Sequence, residues 1–146
     1  MLRIKPYRGS LTTATVKRKD LAHSSLDFLR GKTDACLLID GESLALMLTH
    51  YQREFISIAV QLPTVVACRC SPTQKADVAR LIRSYTKKRV CCIGDGGNDP
   101  AMFKCAGLSI AMGQAEDAVK RQADVVTASN TEDGVALAIE QYILPH

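Results

Sequence analysis

Two carboxylates four residues apart mark the stretch that could do chemistry, Ile93-Gly94-Asp95-Gly96-Gly97-Asn98-Asp99. An apolar run ends there in a glycine-rich loop. No histidine and no paired cysteines lie beside Asp95 and Asp99, so the donor set suits a hard cation, and magnesium is the natural ion. The plainer use of the same residues is a polar turn in which both aspartates cap the next helix. The unbroken string after a strand favours the ion site. A second stretch, Cys70-Ser71-Pro72-Thr73-Gln74-Lys75, places a lysine in the first turn of a helix. There Lys75 can meet a phosphate as a point charge, helped by the positive helix end. Alone it would read as a surface lysine. Paired with the aspartate loop one crossover later, it reads as phosphate-binding.

These residues need a scaffold, and the chain supplies an alternating pattern. Apolar runs at 35–39, 64–68, 89–93, 108–111 and 124–126 predict strands. Helical spacing predicts helices over 43–59, from Ser71-Pro72 onward, and over 100–105, 116–122 and 131–142. Ser71 suits an N-cap and Pro72 a first turn. Val78, Ala79, Leu81 and Ile82 form the apolar side of that helix. Strand–helix alternation predicts an α/β fold, a parallel Rossmann-like sheet with helices on both faces. Ligands in such sheets bind at the carboxyl ends of the strands, where the aspartate loop falls. Residues 34–146 read as one domain. Residues 1–33 read as a basic linker or arm with one short helix near Leu21, Leu26 and Leu29, ending at Gly31.

The chain has 146 residues, 47% of them hydrophobic, which is enough for a real core. No stretch is long and apolar enough to cross a bilayer; the best, 55–70, is interrupted by Gln61, Pro63 and Arg69. The net charge of +4 is concentrated in Lys17-Arg18-Lys19 and Lys87-Lys88-Arg89. No aromatic residues interleave these runs, so they read as solvated rather than nucleic-acid-binding. The expectation is no nucleic-acid partner and no membrane contact by this segment itself. The six cysteines lack metal-knuckle spacing and predict reduced, buried thiols in a cytosolic setting. His23, His50 and His146 have no partners at ligand spacing.

Ser71-Pro72-Thr73-Gln74-Lys75 and Gly94-Asp95-Gly96-Gly97-Asn98-Asp99 resemble the third and fourth motifs of haloacid-dehalogenase (HAD) phosphotransferases. With Leu38-Ile39-Asp40-Gly41-Glu42-Ser43-Leu44 and Cys68-Arg69-Cys70, the stretch 36–105 resembles the phosphorylation domain of phospholipid-flippase-type P-type ATPases. The resemblance implies that Lys75 contacts an aspartyl-phosphate and that Asp95 binds magnesium. It implies that Asn98 and Asp99 support the same site, Asn98 toward phosphate and Asp99 toward the metal and catalysis. The complete enzyme would use ATP at the cytosolic face of a membrane. The family's D-K-T-G-T and T-G-D motifs are absent, so the chain reads as a fragment beginning after them, and isolated it is expected to be inactive. The tail, with Ala111-Met112-Gly113-Gln114-Ala115 and Ser129-Asn130-Thr131-Glu132-Asp133-Gly134-Val135, is more similar to Cof-type HAD sugar-phosphate phosphatases. That second likeness leaves open a chimera or a divergent soluble relative, and it puts Asn130 and Asp133 near the site's rim.

Asp40 ends an apolar run, and Glu42 lies two residues on, an echo of the D-x-D pair of soluble HAD phosphatases. One carboxylate would attack phosphorus and the other protonate the leaving group. A turn or helix cap is the favoured reading of Asp40, and a nucleophile the minor one. A third possibility is a catalytically dead domain kept for binding. A fragment of this kind would lack the N-terminal strand of its sheet, and the edge where that strand would pair could be open to dimerisation.

Overall fold

The structure is a computed structural model that describes residues 29–144 and the backbone pairing of residues 2–6 and 14–16. The helix expected near Leu21 and Leu26 lies outside the described residues, as do Lys17-Arg18-Lys19. The chain forms two compact units, residues 1–74 and 75–146.

The first unit holds strands β1 (Leu2–Pro6), β2 (Ala14–Val16), β3 (Ala35–Asp40) and β4 (Thr64–Cys68), in the order β2-β1-β3-β4. Part of the 1–33 segment is therefore in a sheet. β1 pairs antiparallel with both β2 and β3, while β3 and β4 are parallel. Only residues 7–13 separate β1 from β2, too few for the crossover a parallel pair needs. β3 alternates, with Ala35, Leu37 and Ile39 buried. β4 closes the sheet as an edge strand with all five residues exposed.

Helix α1 (Gly41–His50) starts on Asp40, whose Oδ1 accepts from the Ser43 amide at 2.8 Å. The cap reading of Asp40 is thus seen directly. Gly41 is needed for space: a Cβ there would lie 2.4 Å from the Arg69 carbonyl oxygen. The single helix expected over 43–59 is broken at Tyr51, after which α2 runs Gln52–Ala59. On one straight helix Ile56 would point about 120° away from Leu44. The break lets Ile56 be buried together with Leu44, Met47, Phe55 and Ile58.

Helix α3 (Pro72–Thr86) opens on a reciprocal cap. The Gln74 amide donates to Ser71 Oγ at 3.2 Å, and the Ser71 amide donates to Gln74 Oε1 at 2.9 Å. Ala76 and Ala79 are its fully buried residues; Val78, Leu81 and Ile82 are half-buried.

The second unit carries β5 (Cys91–Gly94), α4 (Pro100–Phe103), β6 (Leu108–Ala111), α5 (Asp117–Lys120), β7 (Val125–Val126), a 3₁₀ turn (Asn130–Glu132) and α6 (Gly134–Tyr142). Its sheet is parallel throughout, in the order β5-β6-β7. The expected alternation of parallel strands and helices is present, with boundaries within two residues in most places. Ala76, Ala79, Cys92, Phe103, Cys105, Ala111, Ala115 and Val119 form its core. Asp124 locks β6 to the start of β7: its Oδ2 accepts from the amide and hydroxyl of Ser109 at 2.8 and 2.7 Å. Ser109 is itself buried, so this pairing replaces its lost water.

All six cysteines are free, as expected, but they are not all buried. Cys92 and Cys105 are buried, whereas Cys68 is exposed because it sits on the bare edge β4. Among the described residues no helix is long and apolar enough to span a membrane.

Candidate functional site at the carboxyl end of β5

β5 delivers the aspartate loop at its carboxyl end, where a parallel sheet holds its ligands. Asp99 folds back over the loop. Its Oδ2 accepts from the amides of Asp95 and Gly96 at 3.0 and 2.9 Å, and its own amide donates to the Gly96 carbonyl at 2.9 Å. The glycines serve space rather than unusual backbone angles. Among the described glycines only Gly31 has positive φ. A Cβ on Gly94 would sit 2.4 Å from Asp99 Oδ2, so Gly94 makes room for the carboxylate that holds the loop.

Lys75 lies in the first turn of α3, an unfavourable place for a cation because the helix end is already positive. Asp99 compensates. Lys75 Nζ donates to Asp99 Oδ1 at 2.8 Å and to Asn98 Oδ1 at 3.3 Å. An ammonium has three hydrogens, so one remains for a further acceptor. The Lys75 side chain is 35% exposed, against 7% for Asp99, so the remaining donor can face solvent. Burial pushes the Asp99 carboxyl up, but the Lys75 hydrogen bond and the Gly96 and Asp95 amides outweigh it and hold it below its ordinary value.

Asp95 is exposed beside this pair. Its Oδ2 accepts from Gln114 Nε2 at 2.9 Å, and Gln114 Oε1 accepts from the Asn130 amide at 2.9 Å. The Asn130 amide can only donate, so it fixes which end of the Gln114 amide faces Asp95. The loops after β6 and β7 are thereby tied to the loop after β5. Gln114 escaped the sequence reading as a site residue. Its position just past the carboxyl end of β6 is the signal that could have found it.

The structure thus brings Lys75, Asp95, Asn98 and Asp99 together, with Asn130 linked through Gln114. It does not draw Asp133 into this network; that residue starts α6 in a left-handed conformation. Among the described residues no three His, Cys, Asp or Glu side chains form a full metal cage. Asp95 and Asp99 supply hard carboxylate oxygens, the donor type that magnesium takes. Magnesium keeps several waters and takes one or two carboxylates plus phosphate oxygens. Asp95 has one oxygen outside its Gln114 bond, and Asp99 Oδ1 keeps a lone pair beside Lys75.

Comparison with known proteins places these observations. Over 99 residues the chain is 56% identical to the phospholipid-transporting ATPase NEO1 of Saccharomyces cerevisiae, covering 68% of this chain and 9% of that one. It therefore spans about a tenth of that relative's length. Over 60 residues it is 52% identical to the 5-amino-6-(5-phospho-D-ribitylamino)uracil phosphatase YcsE of Bacillus subtilis, covering 41% of this chain and 24% of that one. A solved haloacid dehalogenase-like hydrolase from Bacteroides thetaiotaomicron aligns over 52% of this chain and 29% of its own, at 40% identity and a TM-score of 0.44. The profile described as haloacid dehalogenase-like hydrolase matches residues 38–139, which include Lys75, the whole aspartate loop and Gln114. The chain belongs to the haloacid dehalogenase-like hydrolase family, as a phosphotransfer-type domain related both to phospholipid-transporting ATPases and to HAD phosphatases.

Proposed function

We propose that this chain is the magnesium- and phosphate-binding half of a HAD-type phosphotransfer site, acting within a phospholipid-translocating ATPase. In this reading the phosphorylated aspartate is supplied from outside this sequence. The Lys75–Asp99–Asn98 cluster beside Asp95 carries the reading. Lys75 holds positive charge where a phosphoryl group gains negative charge, and it needs no reorganisation because Asp99 already fixes it. Asn98 orients the ammonium from a second side. Asp95, held by Gln114, is the direct ligand for magnesium, and Asp99 is the second carboxylate. The ion, when bound, neutralises phosphate charge.

Two observations support a missing nucleophile. The D-K-T-G-T string is absent from the sequence. Asp40, the one substitute the sequence offers, is engaged as the cap of α1. The second reading, a self-sufficient phosphatase in the manner of the Bacillus relative, requires Asp40 to attack phosphorus.

One experiment separates them. Thermal unfolding and hydrolysis of p-nitrophenyl phosphate are followed with and without magnesium, for the native chain, Asp95→Asn and Asp40→Asn. The expected result is no turnover and a magnesium-dependent stabilisation of about 1.4 kcal/mol at tenfold excess over Kd, lost in Asp95→Asn. Turnover that vanishes in Asp40→Asn establishes the phosphatase. No turnover and no magnesium response would leave a binding domain without a phosphotransfer site.

A further inference from the structure

At the far end of α3 from Lys75, the second unit has a cleft of about 800 Å³. Arg80, Arg83, Lys87, Lys88, Arg89 and Lys104 line it, and no carboxylate does. Lys75 and Thr86 are about 16 Å apart along the helix axis, so this is separate from the aspartate loop. We infer that the cleft is a second anion site, built for a ligand carrying two or more linked phosphates.

Charge gives the first argument. Cations at helix C-termini normally answer the negative helix end, which supplies about half a charge for each helix. α3 and the short α4 both end here, and Asp77 pairs with Arg80. These account for only part of six cations. Among the described residues, Arg83, Lys87, Lys88, Arg89 and Lys104 have no carboxylate partner. Five positive groups around one cleft repel each other unless an anion joins them.

Backbone conformation gives the second argument. Lys87 closes α3 with φ of 57°, its amide donating to the Arg83 carbonyl at 3.0 Å. Glycine is the relaxed occupant of this left-handed closing position. The chain instead places a cation there, at a backbone cost, and strain of that kind gathers at ligand sites.

The ligand class follows from the lining. Arginine forks and lysine points suit phosphate oxygens, and charges of this number match several phosphates better than one. No aromatic side chain lines the cleft, so it lacks the stacking platform of a single-stranded nucleic-acid site. The source of the phosphates, a free polyphosphate or a multiply phosphorylated lipid headgroup, is a question for the test.

Tripolyphosphate and orthophosphate are titrated calorimetrically into the full chain with magnesium chelated. The variants are Lys87→Gly, Lys104→Ala and Lys75→Ala. Tripolyphosphate should bind more tightly than orthophosphate. Lys87→Gly should raise the melting temperature and yet weaken binding about fivefold, as should Lys104→Ala from another element. Lys75→Ala should keep this tighter tripolyphosphate binding and lose only the weaker phosphate contact at the aspartate loop. In a second arm, phosphatidylcholine vesicles with and without phosphatidylinositol bisphosphate are sedimented with the protein. Soluble binding with inert vesicles assigns a free polyphosphate. Co-sedimentation with the phosphoinositide vesicles, lost in Lys104→Ala, assigns a headgroup. Unchanged affinity in both cleft variants, or loss of the tighter tripolyphosphate binding in Lys75→Ala, overturns the proposal.

Discussion

Asp99→Asn is expected to destabilise the second unit by about 3 kcal/mol, the scale of breaking a buried, hydrogen-bonded charge pair from one side. Asp99 is only 5% exposed and serves three donors, two amides on Oδ2 and the Lys75 ammonium on Oδ1. Asparagine offers one oxygen and one NH₂. Whichever way it turns, a donor faces a donor. The urea midpoint should fall with an unchanged m-value. A loss below about 1 kcal/mol, the worth of one ordinary hydrogen bond, would mean that the loop amides find other partners. Acid should act on the same bond. The folded-state pKa of Asp99 is lowered, so its contribution is present above the unfolded pKa and lost as pH falls through the folded one. Asp124 and Glu132 are lowered too, by their hydrogen bonds from Ser109 and Ser129, and add to stability in the same direction. Stability should therefore decline on acidification, and Asp99→Asn should flatten that decline.

Gly134→Ala should cost more, about 4 kcal/mol or above, in the range kept for changes the backbone cannot absorb. A Cβ there would lie 2.0 Å from the Ala128 carbonyl oxygen and 2.8 Å from that of Ser129. Neither neighbour is free to yield. The Gly134 amide donates to the Ser129 carbonyl at 2.9 Å, and its carbonyl accepts from Thr127 Oγ1 at 2.8 Å. The start of α6 must move, carrying Asn130 and with it the anchor of Gln114. The variant should lose the magnesium response along with its melting temperature, although residue 134 touches no site group. A stable variant with a native magnesium response would show that this turn has slack the geometry denies.

What the sequence made legible was local. Strand ends and caps depend on near neighbours, so Asp40, Ser71 and the loop 94–99 could be read from residue types at short spacing. The pairing of Lys75 with the loop was also readable, because one crossover in a parallel sheet brings successive strand ends together. Contacts between distant loops were not. Gln114 meets Asp95 across 19 residues, and its amide orientation is set by Asn130 across 16 more. The turn at Tyr51 was hidden because a straight helix already satisfies most of the apolar spacing; only Ile56 betrays it. The strand β1 was missed although Leu2-Arg3-Ile4-Lys5 alternates in strand fashion, since four residues of basic and apolar character also suit a solvated arm. Gly94 was read as part of a glycine-rich loop, and Gly134 only within the phosphatase-like tail. What requires them is the absence of volume, which appears only once Asp99 and Ala128 are in place.

The uneven burial of the cysteines makes the protein its own clock for opening. Burial pushes the Cys92 thiol up to about 11, which disfavours the reactive thiolate at neutral pH. Cys91 is raised in the same direction and by the same cause. Cys68 is exposed on the edge strand β4. An alkylating reagent should therefore mark Cys68 at once and reach Cys92 only when the sheet of the second unit comes apart. The lag between the two marks, read by mass, times the local unfolding that a single melting curve averages away.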